Sequence, residues 1–285
     1  MESSDEARRV DPGAGNESRP LHSGPRWLNV LPALLLVAVA AWEIVGTRCS
    51  ATSVPEDPAW LEASAVVRAG YRPGDLIVFA PDWVDPVGRL HLGDLIPLDV
   101  AARMDADAFG RIWEVAIRGA RAPETEGLTP VETAERGGVT VRRYERAPVE
   151  VLADLRDRVA TTRVEKGGRG PTVELAEVGF APHRCIQVVP TADIPMKIIF
   201  PGVPTGTELV GYVGIADVFT RRDNRKAALL DVEIGDRIVA RARAEVDSGW
   251  VRFAGTTTPG TADITIVARS SGGNRLICFA VETRR

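Results

Sequence analysis

The segment 81–94, PDWVDPVGRLHLGD, gathers side chains able to do chemistry. Asp82, Asp85 and His91 supply two carboxylates and an imidazole, a set that could carry acid–base work or hold a metal ion. Trp83 offers an aromatic face and Arg89 a planar fork of donors, so both are candidate ligand-binding residues. Asp94 closes the stretch. The competing reading is structural: Asp82 and Asp85 cap turns beside the prolines, Trp83 packs as a lid, and Arg89 pairs with a neighbouring acid. It is preferred, because no nucleophile or metal-ligand spacing accompanies these residues. Catalysis by Asp82, Asp85 and His91 therefore stands as the alternative.

Elsewhere the chemistry is sparser. Trp250, within Gly-Trp-Val-Arg-Phe, is a candidate ring-stacking residue if it stands on an exposed sheet face, and a core aromatic otherwise. His183-Arg184 could meet an anion or form a surface ion pair. The loop Arg221-Arg222-Asp223-Asn224-Arg225 reads as a solvated connection. No P-loop, Gly-x-Gly-x-x-Gly, Gly-x-Ser-x-Gly or His-Glu-x-x-His motif occurs, so no cofactor is implied. The cysteines are Cys49, Cys185 and Cys278. None has metal-ligand spacing, and Cys185 and Cys278 are disulfide candidates if their strands are neighbours, or buried thiols if not. A net charge of −4 gives nucleic acid no electrostatic footprint.

These residues need elements to position them. Trp60, Leu61, Ala65 and Val66 recur at helical spacing, and the apolar run 75–80 reads as a buried strand between Pro-Gly and Pro. The polar loop 81–94 would follow it, at the strand end where open α/β sheets bind ligands. Helical 98–106 and strand 111–118 complete a parallel βαβ unit. Thr129-Pro130 signals a short helix ending at Gly137-Gly138, followed by strand 139–144. Pro148 opens a helix with Val151, Leu152, Leu155 and Val159 on one face. Residues 59–165 thus form a small three-layer α/β domain. After a linker around 167–171 the period changes to two. Nine segments (173–178, 184–189, 196–200, 209–215, 228–234, 237–244, 250–255, 262–269 and 275–282) read as strands of an antiparallel β-sandwich of jelly-roll type over 172–285. Gly235-Asp236 marks a two-residue hairpin turn.

Ahead of both domains lies 27–46, WLNVLPALLLVAVAAWEIVG. Twenty helical residues reach about 30 Å, the thickness of a bilayer's hydrocarbon core. Asn29 and Glu43 lie near its ends, Pro32 in its first turns, and Trp27 and Trp42 at the interfacial levels. Arg8, Arg9, Arg19 and Arg26 precede it, against Arg48 and Arg68 after it, which places the N-terminus in the cytoplasm. A cleaved signal peptide, with 31–40 as its apolar region and Ala38-Val39-Ala40 as its small-residue site, is the other reading; the retained anchor suits the length of the apolar run better. Both export the rest. Residues 1–26 are polar enough to be disordered, and 47–58 is a spacer.

Two stretches resemble known families. The helix with Ala59-Trp60, the strand Pro73-Gly74-Asp75-Leu76-Ile77-Val78 and the strand Arg111-Ile112-Trp113-Glu114-Val115 make 59–118 similar to the soluble tail of polyprenol-sugar-dependent membrane glycosyltransferases. That likeness implies an envelope-side accessory domain without the family's catalytic core. Leu209-Val210-Gly211-Tyr212-Val213-Gly214-Ile215, then Leu230-Asp231-Val232-Glu233-Ile234-Gly235-Asp236 and Gly249-Trp250, make 207–282 resemble galactose-binding-like, carbohydrate-binding jelly-roll modules. The combined expectation is a single-pass protein of a bacterial inner membrane, its two folded domains periplasmic or extracellular. The sandwich would bind a glycan or an envelope protein, and enzymatic action on envelope carbohydrate through 81–94 is the alternative.

Overall fold

In the computed structural model, which describes residues 27–52, 54–165, 167–216, 226–271 and 275–285, the apolar run forms one helix, α1 (Trp27–Thr52). It continues past Gly46 and Thr47, so helix replaces the first part of the expected spacer. Val30–Arg48 has a mean hydropathy of 2.0 and no buried side chain, which makes α1 long and apolar enough to cross a membrane. The tail 1–26 and the loop Arg221 to Arg225 lie outside the described residues. Residues 54–285 form a separate compact unit.

That unit begins with α2 (Asp57–Gly70), whose Trp60, Ala63 and Val67 are buried against a four-stranded sheet. The sheet comprises β1 (Leu76–Ala80), β2 (Arg111–Ile117), β3 (Glu132–Arg136) and β4 (Val139–Glu145), in the order β1-β2-β4-β3. β1 and β2 are parallel, and the remaining pairs antiparallel. Every residue of β1 is buried because both faces are covered. Phe79 and Ile77 meet α2 and the following helices, while Leu76 and Val78 meet Ala106, Ala122 and Tyr144. The segment 129–137 is not helical. Gly137 and Gly138 adopt φ of 54° and 88°, the double left-handed turn that closes a hairpin, and β3 is its first arm.

The polar stretch after β1 is itself helical: a 3₁₀ turn over Asp82–Val84, α3 (Asp85–Leu92) and a second 3₁₀ turn over Gly93–Leu95. α3 lies so close to the sheet that a Cβ on Gly88 would meet the Phe79 ring at 2.0 Å. The expected helix over 98–106 shrinks to α4 (Leu98–Ala101). Residues 102–107 that follow are irregular because their polar groups are engaged elsewhere, as described below.

The sandwich follows the period-two reading closely. One sheet runs β13-β10-β15-β8-β7 and the other β12-β11-β14-β9-β6. Their strands are β6 (Arg163–Glu165), β7 (Gly168–Val178), β8 (Ala181–Pro190), β9 (Met196–Thr205), β10 (Glu208–Ile215), β11 (Ala228–Ile234), β12 (Arg237–Ala244), β13 (Val251–Thr256), β14 (Gly260–Ser270) and β15 (Ile277–Arg284). Phe200, Val213, Leu230, Ile266 and Phe279 lie in the core between them. The helix expected from Pro148 is absent. β5 (Val151–Asp154) instead pairs antiparallel with β15, and a 3₁₀ helix over Leu155–Thr161 carries Leu155 into the sandwich core. Apolar spacing that suited a helix face is used by an edge strand and a one-residue plug.

Cys185 on β8 and Cys278 on β15 are joined in a disulfide, with Cα atoms 5.5 Å apart and a sequence separation of 93. Closing so long a loop removes much of the unfolded chain's freedom. Exchanging both cysteines for alanine should lower stability by about 3 kcal/mol, read from the midpoint of urea unfolding.

Candidate functional site

A cleft of about 980 Å³ opens where the end of β1 faces the sandwich. One wall comes from the turn and helix after β1, through Asp82, Trp83, Asp85 and Arg89. The other comes from the sandwich, through Phe180, His183, Tyr212 and Arg252, and Arg103, Asp105 and Asp107 run between them. α3 sets the first wall. Asp85 and Arg89 are one turn apart and form an ion pair of 2.5 Å. Trp83 is 55% exposed, with the Arg118 guanidinium 5.4 Å from its ring centre.

The same helix takes His91 out of the site. Six residues beyond Asp85 is about 240° around a helix, so His91 faces α2. Its Nε2 lies 3.2 Å from Asp57, and its ring is near-parallel to Trp60 at 6.4 Å. Asp94 is held by Arg68, which also donates to the His91 carbonyl. The trio Asp82, Asp85 and His91 is therefore not assembled; only the two aspartates reach the cleft. Among the described residues no cluster of His, Cys, Asp and Glu could hold a metal ion.

Trp250 does not stand on an open sheet face. Its Nε1 donates to the Met104 carbonyl at 3.1 Å, and its ring lies near-parallel to His183 at 4.4 Å and Tyr212 at 5.8 Å. The indole backs two residues that line the cleft instead of lining it. The surface ion pair considered for His183-Arg184 is made by Arg184, with Asp157 at 3.5 Å. The His183 Nδ1 is 3.4 Å from the Arg103 carbonyl. A carbonyl can only accept, so Nδ1 carries the proton and Nε2 keeps its lone pair. Burial, with the Arg103 charge acting the same way against the pull of that hydrogen bond, lowers the His183 pKa to about 4. Burial, with the Asp105 carboxylate beside it, pushes the Tyr212 hydroxyl up to about 12. At neutral pH both are uncharged hydrogen-bonding groups.

Phe180 was not singled out from sequence. It is 84% exposed, at the tip of the β7–β8 hairpin, with φ of 70° after Gly179 at 61°. An aromatic residue in this left-handed conformation costs on the order of 1 kcal/mol, and so exposed a ring offsets little of that through burial. The signal was available: Gly-Phe stands where a tight hairpin normally takes Asn-Gly. Tyr212 and Arg252 carried no comparable signal, because a strand residue's face depends on the pairing partner, and Arg103 lies in the irregular segment after α4.

The charges are mostly matched. Arg103 pairs with Glu124, Arg146 with Asp107 at 3.6 Å and Arg252 with Glu208 at 3.6 Å. The site thus presents aromatic faces, neutral donors and acceptors, and neutralised charges: the equipment for a polar, uncharged ligand.

No protein-family model matches the chain, and neither does any curated protein. Solved structures that resemble it include carbohydrate-binding modules. CBM51-2 with INT domains of Clostridium perfringens ZmpB, in complex with GlcNAc, is 12% identical with a TM-score of 0.34, over 53% of this chain and 36% of that one. CsCBM6-3 of Clostridium stercorarium, in complex with cellobiose, is 11% identical with a TM-score of 0.27, over 42% and 88%. The CBM22-1 xylan-binding domain of Paenibacillus barcinonensis Xyn10C is 16% identical with a TM-score of 0.30, over 47% and 94%. This chain thus spans about a third of the ZmpB fragment. At these values the likeness carries no argument about ligand or mechanism, and the one noted for 59–118 to glycosyltransferase tails gains nothing from it.

The unfolded chain protonates the His183 imidazole near its ordinary pKa of 6.5, the folded chain near 4. The stability this residue contributes is complete above pH 6.5 and is lost as pH falls from there toward 4, by about 2–3 kcal/mol. Urea unfolding across that range should show the loss, and His183→Phe, which keeps a ring against Trp250, should flatten it.

Proposed function

We propose that the chain is a single-pass envelope protein whose folded unit binds glycan in the cleft between the first sheet and the sandwich. The observation that supports this is the pairing of two exposed aromatic rings, Trp83 and Phe180, with neutral and charge-balanced polar groups in one open cavity. A sugar ring offers apolar C–H faces and a rim of hydroxyls. Aromatic faces meet the first, and Asp82, Arg89, the His183 Nε2 and the Tyr212 hydroxyl suit the second.

In this reading α1 is the retained anchor in a bacterial inner membrane, with the N-terminus cytoplasmic and the folded unit periplasmic or extracellular. The Cys185–Cys278 disulfide suits an oxidising compartment. Trp250 acts as a support, holding His183 and Tyr212 in place. Enzymatic action through Asp82, Asp85 and His91 finds no favouring geometry, since His91 belongs to the contact with α2.

A glycan array probed with the full chain in nanodiscs tests the proposal. Reproducible binding to one saccharide class is expected, weakened about tenfold by Trp83→Ala and again by Phe180→Ala. Asp85→Asn, which also releases Arg89, should change affinity without any turnover of the bound saccharide. Silence across the array, or binding indifferent to both aromatic substitutions, would refute it.

A further inference from the structure

The outward side of α3 is apolar. Val87 and Leu90 stand three residues apart on α3, and Trp83, four residues before Val87 on the 3₁₀ turn that leads into the helix, continues their stripe. Val87 is 37% exposed and Leu90 83% exposed. Val84, Gly88 and Leu92 form the opposite, buried side. Neither Val87 nor Leu90 lines the cleft. Trp83 alone belongs to both surfaces, at the corner where they meet.

The position of the stripe in the chain suggests what covers it. Eight residues separate Arg48, where the apolar span ends, from Asp57, where α2 begins. Fully extended they reach less than about 30 Å. Asp57 touches His91, the residue next to Leu90, at 3.2 Å. The Leu90 end of the stripe therefore lies beside the residue through which the folded unit is tethered. α3 is only about 12 Å long, so the Trp83 end is tethered closely too. Two of the acidic residues nearby are paired with cations, Asp85 with Arg89 and Asp94 with Arg68.

We infer that Trp83, Val87 and Leu90 form an interfacial docking face that rests on the outer surface of the bilayer spanned by α1. This rests on the anchor reading given above. A short amphipathic helix with Trp and aliphatic residues on one side seats in the headgroup region, and tethering supplies the effective concentration that eight residues lack on their own. The consequence for the site is directional: a cleft whose corner residue sits in the interface would meet saccharides close to the membrane surface.

The test is photolabelling of the full chain in phosphatidylcholine vesicles that contain a lipid with a diazirine high on its acyl chain, with labelled peptides mapped by mass spectrometry. The expected result is label on α1 and on 83–90, the latter falling at least fivefold in a Val87→Glu, Leu90→Glu double variant whose circular dichroism and label on α1 are unchanged. Label on α1 with none on 83–90, or label there that the double variant leaves intact, overturns the docking face alone. Cross-linking of 83–90 between two copies, with no lipid label, overturns it in favour of self-association. Absence of label on α1 itself overturns the anchor reading and the docking face together. The saccharide-binding reading is tested apart from both, since Val87 and Leu90 take no part in the cleft.

Discussion

Arg284, near the end of β15, is buried and fully charged, and the arrangement of the folded unit depends on it. Removing a guanidinium from water costs several kcal/mol unless carboxylates surround it in good geometry. Here Asp105 at 2.8 Å, Asp107 at 3.1 Å and Glu282 at 2.8 Å do so. Burial works against its charge, but these carboxylates outweigh it and raise the arginine's pKa. Glu282 feels the opposite balance: burial pushes its carboxyl up, and the flanking arginines only partly restrain it. The two aspartates belong to the irregular segment after α4, so satisfying a charge on the sandwich fixes a loop of the first sheet.

That segment is engaged along its length. The Ala102 carbonyl accepts from the Arg184 amide at 2.9 Å, the Arg103 carbonyl meets His183, and the Met104 carbonyl accepts from Trp250. The Met104 side chain packs with Val210 and Ala280 of the sandwich, while Ala102 and Ala106 are buried. A helix through 102–107 would have spent those carbonyls on itself. The cleft is the space left beside this joint. A second buried carboxylate, Glu114, shapes the far side of the sheet. Burial alone would raise its pKa, yet the Thr125 hydroxyl, the Ala122 amide and Arg142 hold it below the ordinary glutamate value. It thereby fixes the connection that follows β2.

The sequence was most legible where burial is one-sided and repetitive. Leu230, Val232 and Ile234 alternate with acids, and the strand β11 is where that alternation places it. Legibility failed where a local signal had two physical outcomes. Gly137-Gly138 stops a helix as readily as it turns a hairpin, and the pairing of β3 with β4 decided it. Val151, Leu152 and Leu155 suit a helix face, but β15 recruited the first two into a paired strand, and Leu155 entered the sandwich core from a 3₁₀ helix. In the site, Asp82, Trp83, Asp85 and Arg89 were legible from their position after a strand. His91 leaves the site because the stretch after β1 is the helix α3 and not a loop, which turns it toward α2. Phe180 and Tyr212 were missed because only tertiary pairing brings the sandwich to that strand end.

The central claim is that the first sheet and the sandwich are one cooperative unit, locked by Arg284, with the cleft as its product. Native-state hydrogen exchange of the full chain, followed at the amides of β2 and of β10 in the native protein and in Arg284→Met, tests this most directly. Leaving Asp105 buried without a cation, and Glu282 and Asp107 with only Arg156 and Arg146, should lower the opening free energy of both strands together by about 3 kcal/mol. A fall confined to β10, with β2 unchanged, would mean that the two parts open independently, and the account of the cleft would be wrong.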